Sequence, residues 1–380
     1  MEFFIIIGVI FIFALILATR FFVNVGSDQI AIVERQFVGK ELEPGRAFAL
    51  DNEVGLRARY LAPGLHLILW PLTRVVSKPQ FLTIAADELG IVEATDGVPL
   101  PAGRIFADDP AGEAHNNFQE PAEFLGKGGI RGKQLRFLTN GTFKIHPELF
   151  KVTKIKKTHI PEGKIGVVTA ADGAPLEGHL LGKSVSDHDN FQKAEAFLKN
   201  GGEKGPQIDF LRPGIYNINT EIFRVEVREA VRINENEIGI VDARDGLPMG
   251  RNEVVVHTPD GHSHFQDGQA FLNNGGKRGP QEAILTPGTY YINPYLFTIS
   301  KRKQTVVAQG EVAVLISNVG KDPSEFTSNE EMSDEKGKAR HVVPKGFRGI
   351  QREVLGPGAY NVNPLAYTVI IVPTKTRSVD

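Results

Sequence analysis

The sequence predicts a mainly β protein with short helices, in which an N-terminal transmembrane helix precedes a linear array of small antiparallel β modules. Two observations predict this. The first sixteen residues after Glu2, Phe3 to Ala18, carry no polar side chain. The rest of the chain is a module of about 74 residues, written three times in full and twice in reduced form. The central Phe of the full copies recurs at Phe124, Phe197 and Phe271, after 73 and then 74 residues. A register kept this well points to an array or scaffold before it points to a catalyst.

The leader comes first. As helix, sixteen residues span about 24 Å against a hydrocarbon core of about 30 Å. Thr19 and a snorkelling Arg20 let Phe21, Phe22 and Val23 extend the run to a full crossing. A signal peptide would want a basic start and small residues at a cleavage site, whereas Glu2 is acidic and Phe21 and Phe22 are bulky. The expectation is a retained anchor over residues 1–25, with Phe3, Phe4, Ile5, Phe11, Leu15 and Phe22 in the lipid bilayer. Arg20, Lys40 and Arg46 place the modules in the cytoplasm by the positive-inside tendency, as a single-pass protein of the cell membrane.

Each full module opens on an apolar strand and a turn: "GIVEATDG" from Gly90, "GVVTAADG" from Gly166 and "GIVDARDG" from Gly239. Asp96-Gly97, Asp172-Gly173 and Asp245-Gly246 suit hairpin turns. In the middle stand "FLGKGGIRGKQ", "FLKNGGEKGPQ" and "FLNNGGKRGPQ" from Phe124, Phe197 and Phe271. Phe191, Ala194, Phe197 and Leu198 share one face of a short helix, with Asp189 or Asn190 placed to cap it and Gly201-Gly202 to stop it. The module closes on "TNGTFKI", "RPGIYNI" and "TPGTYYI", whose Pro-Gly pairs suit type II turns. A ring and an aliphatic then follow at strand spacing: His66/Ile68, Phe143/Ile145, Tyr216/Ile218, Tyr290/Ile292 and Tyr360/Val362. A further ring stands nine after the Gly at Phe150, Phe223, Phe297 and Tyr367. All of these rings are expected in module cores. Weaker copies at the two ends give the spans 26–84, 85–159, 160–233, 234–307 and 308–380.

Composition narrows the function. A net charge of −2 gives no electrostatic case for nucleic acid, and the absence of cysteine excludes thiolate zinc sites and cysteine nucleophiles. "GHLLGKS" from Gly178 has three residues between its glycines where a phosphate loop needs four. His257, His262 and His264 cluster around Asp260 and could ligate a metal, but a polar loop with incidental histidines is the simpler account. His115 and His188 hold related places, with His264 corresponding roughly. No cofactor and no catalytic site are expected. In "FRVEVREAVRI" from Phe223, Phe223, Val225 and Val227 face the module, while Arg224, Glu226 and Arg228 face outward. Those three are candidates for lateral contact between stacked arrays.

The leader, "VGSDQIAIVERQFVGKEL" and "LAPGLHLILWPLTRV" resemble the start of bacterial SPFH (stomatin–prohibitin–flotillin, band 7) proteins, with Pro63, Gly64, His66 and Pro71 in the turn phrase. "GPGAYNVNPLAYTVIIVPTKTRSVD" is similar to the same opening strand again. The chain thus resembles the N-terminal part of a flotillin-like membrane protein. The modules are distantly similar to the stacked β-repeats of the major vault protein. The resemblance implies a scaffold that assembles laterally into a large homo-oligomeric ring or cage, organises a membrane microdomain and receives client membrane proteins. It also implies an SPFH domain and coiled coil beyond residue 380. A surface-exposed or periplasmic repeat binding protein is the competing reading, and a metal-dependent enzyme the third.

Overall fold

The computed structural model describes residues 20–251, 253–322 and 342–374. Its described elements include strands of two to seven residues, three six-residue α-helices and a short 3-10 turn at Gly112–His115, and the small antiparallel sheets recur as tandem repeats.

The second module displays the plan. Its opening strand Glu88–Ala94 is central in a three-stranded antiparallel sheet, flanked by Gly132–Leu138 and Phe150–Lys156. That position explains why "LGIVEA" is apolar almost without alternation: a central strand covered on both faces gains by burying successive residues. Leu89, Ile91 and Val92 are all buried, whereas the edge strand Phe150–Lys156 buries Phe150 and exposes Lys151, Thr153, Lys154 and Lys156. The fourth module repeats the arrangement with Glu237–Ala243 between Gly279–Leu285 and Phe297–Lys303, and the fifth with Glu311–Ser317 between Gly349–Leu355 and Tyr367–Pro373.

The Pro-Gly pairs do a different job from the one expected. Gly288 and Gly358 have φ of +157° and +156°, far from the roughly +80° of a type II turn. They open short strands, Gly288–Tyr290 and Gly358–Tyr360, that pair with Val231–Ile233 and Thr305–Val307 rather than with the strand just before. The pair marks a corner at which the chain leaves one sheet for another. The Asp-Gly pairs are not hairpin turns either. After Gly97 and Gly246 the chain leaves in parallel bridges, Val98 with Ile130 and Leu247 with Lys277. A Cβ on Gly246 would lie 2.4 Å from the carbonyl oxygen of Gly276, so backbone packs directly on backbone there.

The helix of the third module is Ala194–Lys199, starting later than Phe191. Asp189, Asn190 and Phe191 adopt left-handed φ of 50°, 52° and 63°, as do Asn116–Phe118 and Ser263–Phe265. Asp189 and Asn190 therefore form a turn ahead of the helix and do not cap it; the residue before the helix is Lys193. In the fourth module Asp267 does cap, accepting from Ala270 N at 2.8 Å. The left-handed stop is as expected, with Gly201 at φ +84°. Of the expected rings Phe143, Phe150, Phe223, Tyr290 and Phe297 are buried in the cores, whereas His66, Tyr216, Tyr360 and Tyr367 are only half-buried. Phe118, Phe124 and Phe150 form a triangle with centroids 6.0, 5.2 and 5.1 Å apart. Phe265, Phe271 and Phe297 repeat it at 6.1, 5.2 and 5.0 Å.

In the first module, Phe22–Val25 is a strand antiparallel to Gly64–Leu67, with Val23 and Val25 turned inward over Ala31 and Ile68. The apolar run therefore does not continue as a crossing through Phe22 and Val23, because the alternation Phe-Val-Asn-Val suits a half-buried strand. No helix among the described residues is long and apolar enough to cross a membrane. Phe3, Phe4, Ile5, Phe11 and Leu15 lie outside the described residues.

The chain forms two compact units that do not follow the repeat boundaries. Among the described residues, one contains 20–159, 186–201 and 215–223, and the other contains those of 160–185, 202–214 and 224–374. The third module is divided between them. Its helix and closing segment group with module two, and its opening segment groups with module four.

Candidate functional site

What recurs in this chain is a joint, built from four residues that the periodic pattern alone does not single out. The first is the Gln that ends each central motif. Gln134 Nε2 donates to the carbonyls of Ile130 and Gly132 at 2.8 Å each, and Gln281 Nε2 does the same to Lys277 and Gly279 at 2.8 Å each. Gln207 and Gln351 bind the same relative carbonyls. This holds a bulge open in the strand pair: between Ile91 and Glu93 the register jumps from Phe137 to Lys133, and between Ile240 and Asp242 from Ile284 to Pro280. Strand carbonyls at the bulge are left facing outward.

The second is an Asn from the following module, which takes those carbonyls. Asn293 Nδ2 donates to the oxygens of Gln207 and Ile208 at 2.9 and 2.8 Å, while its Oδ1 accepts from Tyr295 N at 2.9 Å. Asn219 binds Gln134 and Leu135, and Asn363 binds Gln281 and Glu282, in the same way. The three Asn residues are buried. At the first junction His146 stands in their place, its Nε2 donating to Arg57 O at 3.2 Å. Its ring lies edge-on to Phe48, 5.3 Å between centroids. Burial holds the imidazole at a pKa of about 4, well below its ordinary value, with the Arg57 carbonyl pulling the other way.

The third is the Asp of the Asp-Gly pair. Asp96 Oδ2 accepts from Ala47 N and Phe48 N at 2.8 and 3.0 Å, and Asp245 Oδ2 accepts from Leu180 N at 2.8 Å, each backbone belonging to the preceding module. The fourth is a histidine just ahead of the helix. The Nδ1 atoms of His115, His188 and His262 accept from the N–H of Phe118, Phe191 and Phe265 at 2.7 to 2.8 Å. This fixes the left-handed turn that carries the buried Phe. His262, and not His264, is therefore the counterpart of His115 and His188, and none of the three is incidental.

Apolar packing completes the joint. Phe48 and Ala58 of module one sit in one cluster with Phe118, Phe124 and Phe150 of module two; Leu181 and Ile208 of module three join Phe265, Phe271 and Phe297 of module four. A module of this size buries too little alone, and its neighbour supplies the missing wall.

An ionic network adds to the joint in unit one. His115 Nε2 lies 2.9 Å from Asp109 Oδ2; because Nδ1 accepts, the ring proton is on Nε2. Arg136 reaches Asp109 at 3.2 Å, Glu113 at 2.9 Å and Glu195 at 3.8 Å. Burial would raise the Asp109 carboxyl, but the hydrogen bonds from His115 and the Gly112 N–H and the charge of Arg136 hold it below the usual range. Glu195 is pushed up by burial, and Asp109, Asp108 and Glu113 add to that against the pull of Arg136.

Of the expected site residues, Arg224, Glu226 and Arg228 are exposed on the strand Phe223–Glu229, and Arg228 pairs with Glu226 at 2.9 Å. Val227, expected to face the module, is exposed at 43%. His257 is exposed and bonded to Glu282, whereas His262 is committed to the turn. Among the described residues no three His, Asp or Glu side chains gather as a metal site. A different surface does stand out. Phe22, Leu65, Leu67, Leu69 and Trp70 of the first module are exposed, with Phe22 directly opposite Leu67 in the strand pair. The rings of Phe21 and Trp70 meet edge to face at 6.4 Å. No protein-family model matches the sequence, and a search of curated proteins gives no match.

Proposed function

We propose that the chain is a membrane-anchored scaffold, held to a bilayer by the segment from Phe3, with its modules in the cytoplasm and its copies associating laterally to organise a membrane patch. The observation that carries this reading is the apolar face of the first module. Phe22, Leu65, Leu67, Leu69 and Trp70 lie exposed where the sixteen-residue apolar segment ends. Exposed apolar side chains gathered on one face favour a second apolar surface, and Trp favours the level of lipid headgroups. Arg20 sits between segment and strand, where its stem can lie along the apolar boundary and its head in water. The SPFH resemblance of the flanking segments supports the same function. For lateral contact, Arg224, Glu226 and Arg228 offer alternating charge on an exposed edge strand, which favours a fixed register over tight affinity.

Carbonate extraction of membranes tests the anchor: the full chain is expected in the pellet, and a chain beginning at Arg20 in the supernatant. Starting later would remove the strand Phe22–Val25 and with it the partner of Gly64–Leu67. A full chain that washes out with carbonate overturns the anchor. Chemical cross-linking of the same membranes, read by mass, is expected to give a ladder of homo-oligomers, and a chain that stays monomeric at every concentration in detergent overturns the scaffold.

A further inference from the structure

The repeat exposes one joint whose acid is missing. At the junction of modules one and two, Asp96 takes the N–H groups of Ala47 and Phe48; at the junction of modules three and four, Asp245 takes that of Leu180. In the fifth module the corresponding residue is Val319, in "SNVG" where module four reads "ARDG". The groups that should meet the acid are still present. Val254 and Val255 are the counterparts of Ala47 and Phe48, since Val256 bridges to Gln281 as Ala49 pairs with Arg57. Among the described residues, the N–H groups of Val254 and Val255 have no hydrogen-bond acceptor, although Val255 is only 5% exposed.

In place of the carboxylate there is a cleft of about 680 Å³, lined by Val254, Val255, Val319, Lys321 and Arg348 and also by Glu253, His257 and Glu282. Lys321 and Arg348 make no ion pair among the described residues. Of the two acids, Glu253 is paired with Lys277 at 2.8 and 3.0 Å, and Glu282 is hydrogen-bonded to His257 at 3.1 Å. The cleft therefore offers two unmet backbone donors beside two unmet cations. We propose that it is a carboxylate site, in which a ligand carboxylate occupies the place that Asp96 and Asp245 fill at the other joints. One oxygen would accept from Val254 and Val255 as Asp96 Oδ2 accepts from Ala47 and Phe48, with Arg348 or Lys321 neutralising the charge. Occupancy would complete the last joint, so a soluble acid or an acidic side chain would tighten the docking of module five.

The test uses the full chain in detergent, followed through the backbone amide resonances of Val254 and Val255. Succinate and an oligoglutamate peptide are titrated separately, which distinguishes a free acid from a polypeptide side chain. Saturable downfield shifts of both amides are expected with at least one of them. Arg348→Ala is expected to weaken that binding at least tenfold. Val319→Asp is expected to shift the same amides without ligand and to abolish binding. Because that change restores the residue type of the other joints, it also raises the resistance of module five to proteolysis. Absence of saturable shifts with either probe overturns the proposal, as does binding that survives Arg348→Ala and Val319→Asp unchanged.

Discussion

Asn293 provides the sharpest measure of how modules hold each other. Its amide donates two hydrogen bonds into the preceding module and accepts one, at 2.8 to 2.9 Å, with the residue 2% exposed. Asn293→Ala removes all three and leaves the carbonyls of Gln207 and Ile208 facing a dry gap. At about 1 kcal/mol for each lost bond, with a further penalty for buried groups left unmet, the cost is roughly 2–4 kcal/mol. Asn293→Asp keeps the shape but turns a carboxylate oxygen towards two carbonyl oxygens. That environment raises the aspartate pKa above its unfolded value of about 3.9, so the charged form is penalised at neutral pH. Protonation gives the oxygen an O–H to donate, and the deficit of this variant relative to the parent should shrink as pH falls through the raised pKa. Urea unfolding with hydrogen exchange on Gly205–Leu211 reads both effects. An alanine variant within about 0.5 kcal/mol of the parent would refute the account. So would an aspartate variant whose deficit is independent of pH.

Three further outcomes follow from the same geometry. His146 titrates near 4 when folded and near 6.5 when unfolded, so the unfolded chain takes the proton first and stability is lost as pH falls from about 6.5 towards 4. His146→Asn, which restores the residue of the other joints, should remove on the order of 2–3 kcal/mol of that pH dependence, measured as the difference between the two unfolding curves. Gly246→Ala places a Cβ 2.4 Å from the Gly276 carbonyl at φ +128° and should cost more than about 2 kcal/mol. Gly178→Ala, at φ +77° with open space around it, should cost about 1 kcal/mol; equal melting shifts would contradict the contact. Changing Arg224 and Arg228 together to Glu should reduce lateral association in sedimentation while leaving circular dichroism unchanged, because both are exposed.

The sequence announced whatever depends on neighbours a few residues away. The period, the strand character of "GIVEATDG", the buried rings Phe150, Phe223 and Phe297 and the Gly201 stop all follow from local spacing. What stayed hidden depends on partners far along the chain. Gln134 and Asn219 recur as regularly as the phenylalanines, but their meaning is a bond across 85 residues. The helix starts later than its periodicity suggests because His188 withdraws the Phe191 N–H into a left-handed turn, a preference that helical periodicity does not register. Asp96 resembled half of a hairpin because Asp-Gly is a turn signal; its true partners, Ala47 and Phe48, precede it by nearly fifty residues.

The joint also has a direction in time. In every pair described, the acceptor carbonyls belong to the earlier module and the donating Asn or His to the later one. A ribosome releases the receiving surface first. When Asn219, Asn293 or Asn363 leaves the exit tunnel, the strand it must grip has already been made, together with the Gln that shapes it. An Asn therefore need not wait, buried and unmet, for a partner still to be translated. What waits is the earlier module's backbone, the carbonyls for the Asn and the N–H groups of Ala47, Phe48 and Leu180 for the later Asp, and water satisfies these at little cost. Growth from the amino end thus extends the array one module at a time onto a finished surface.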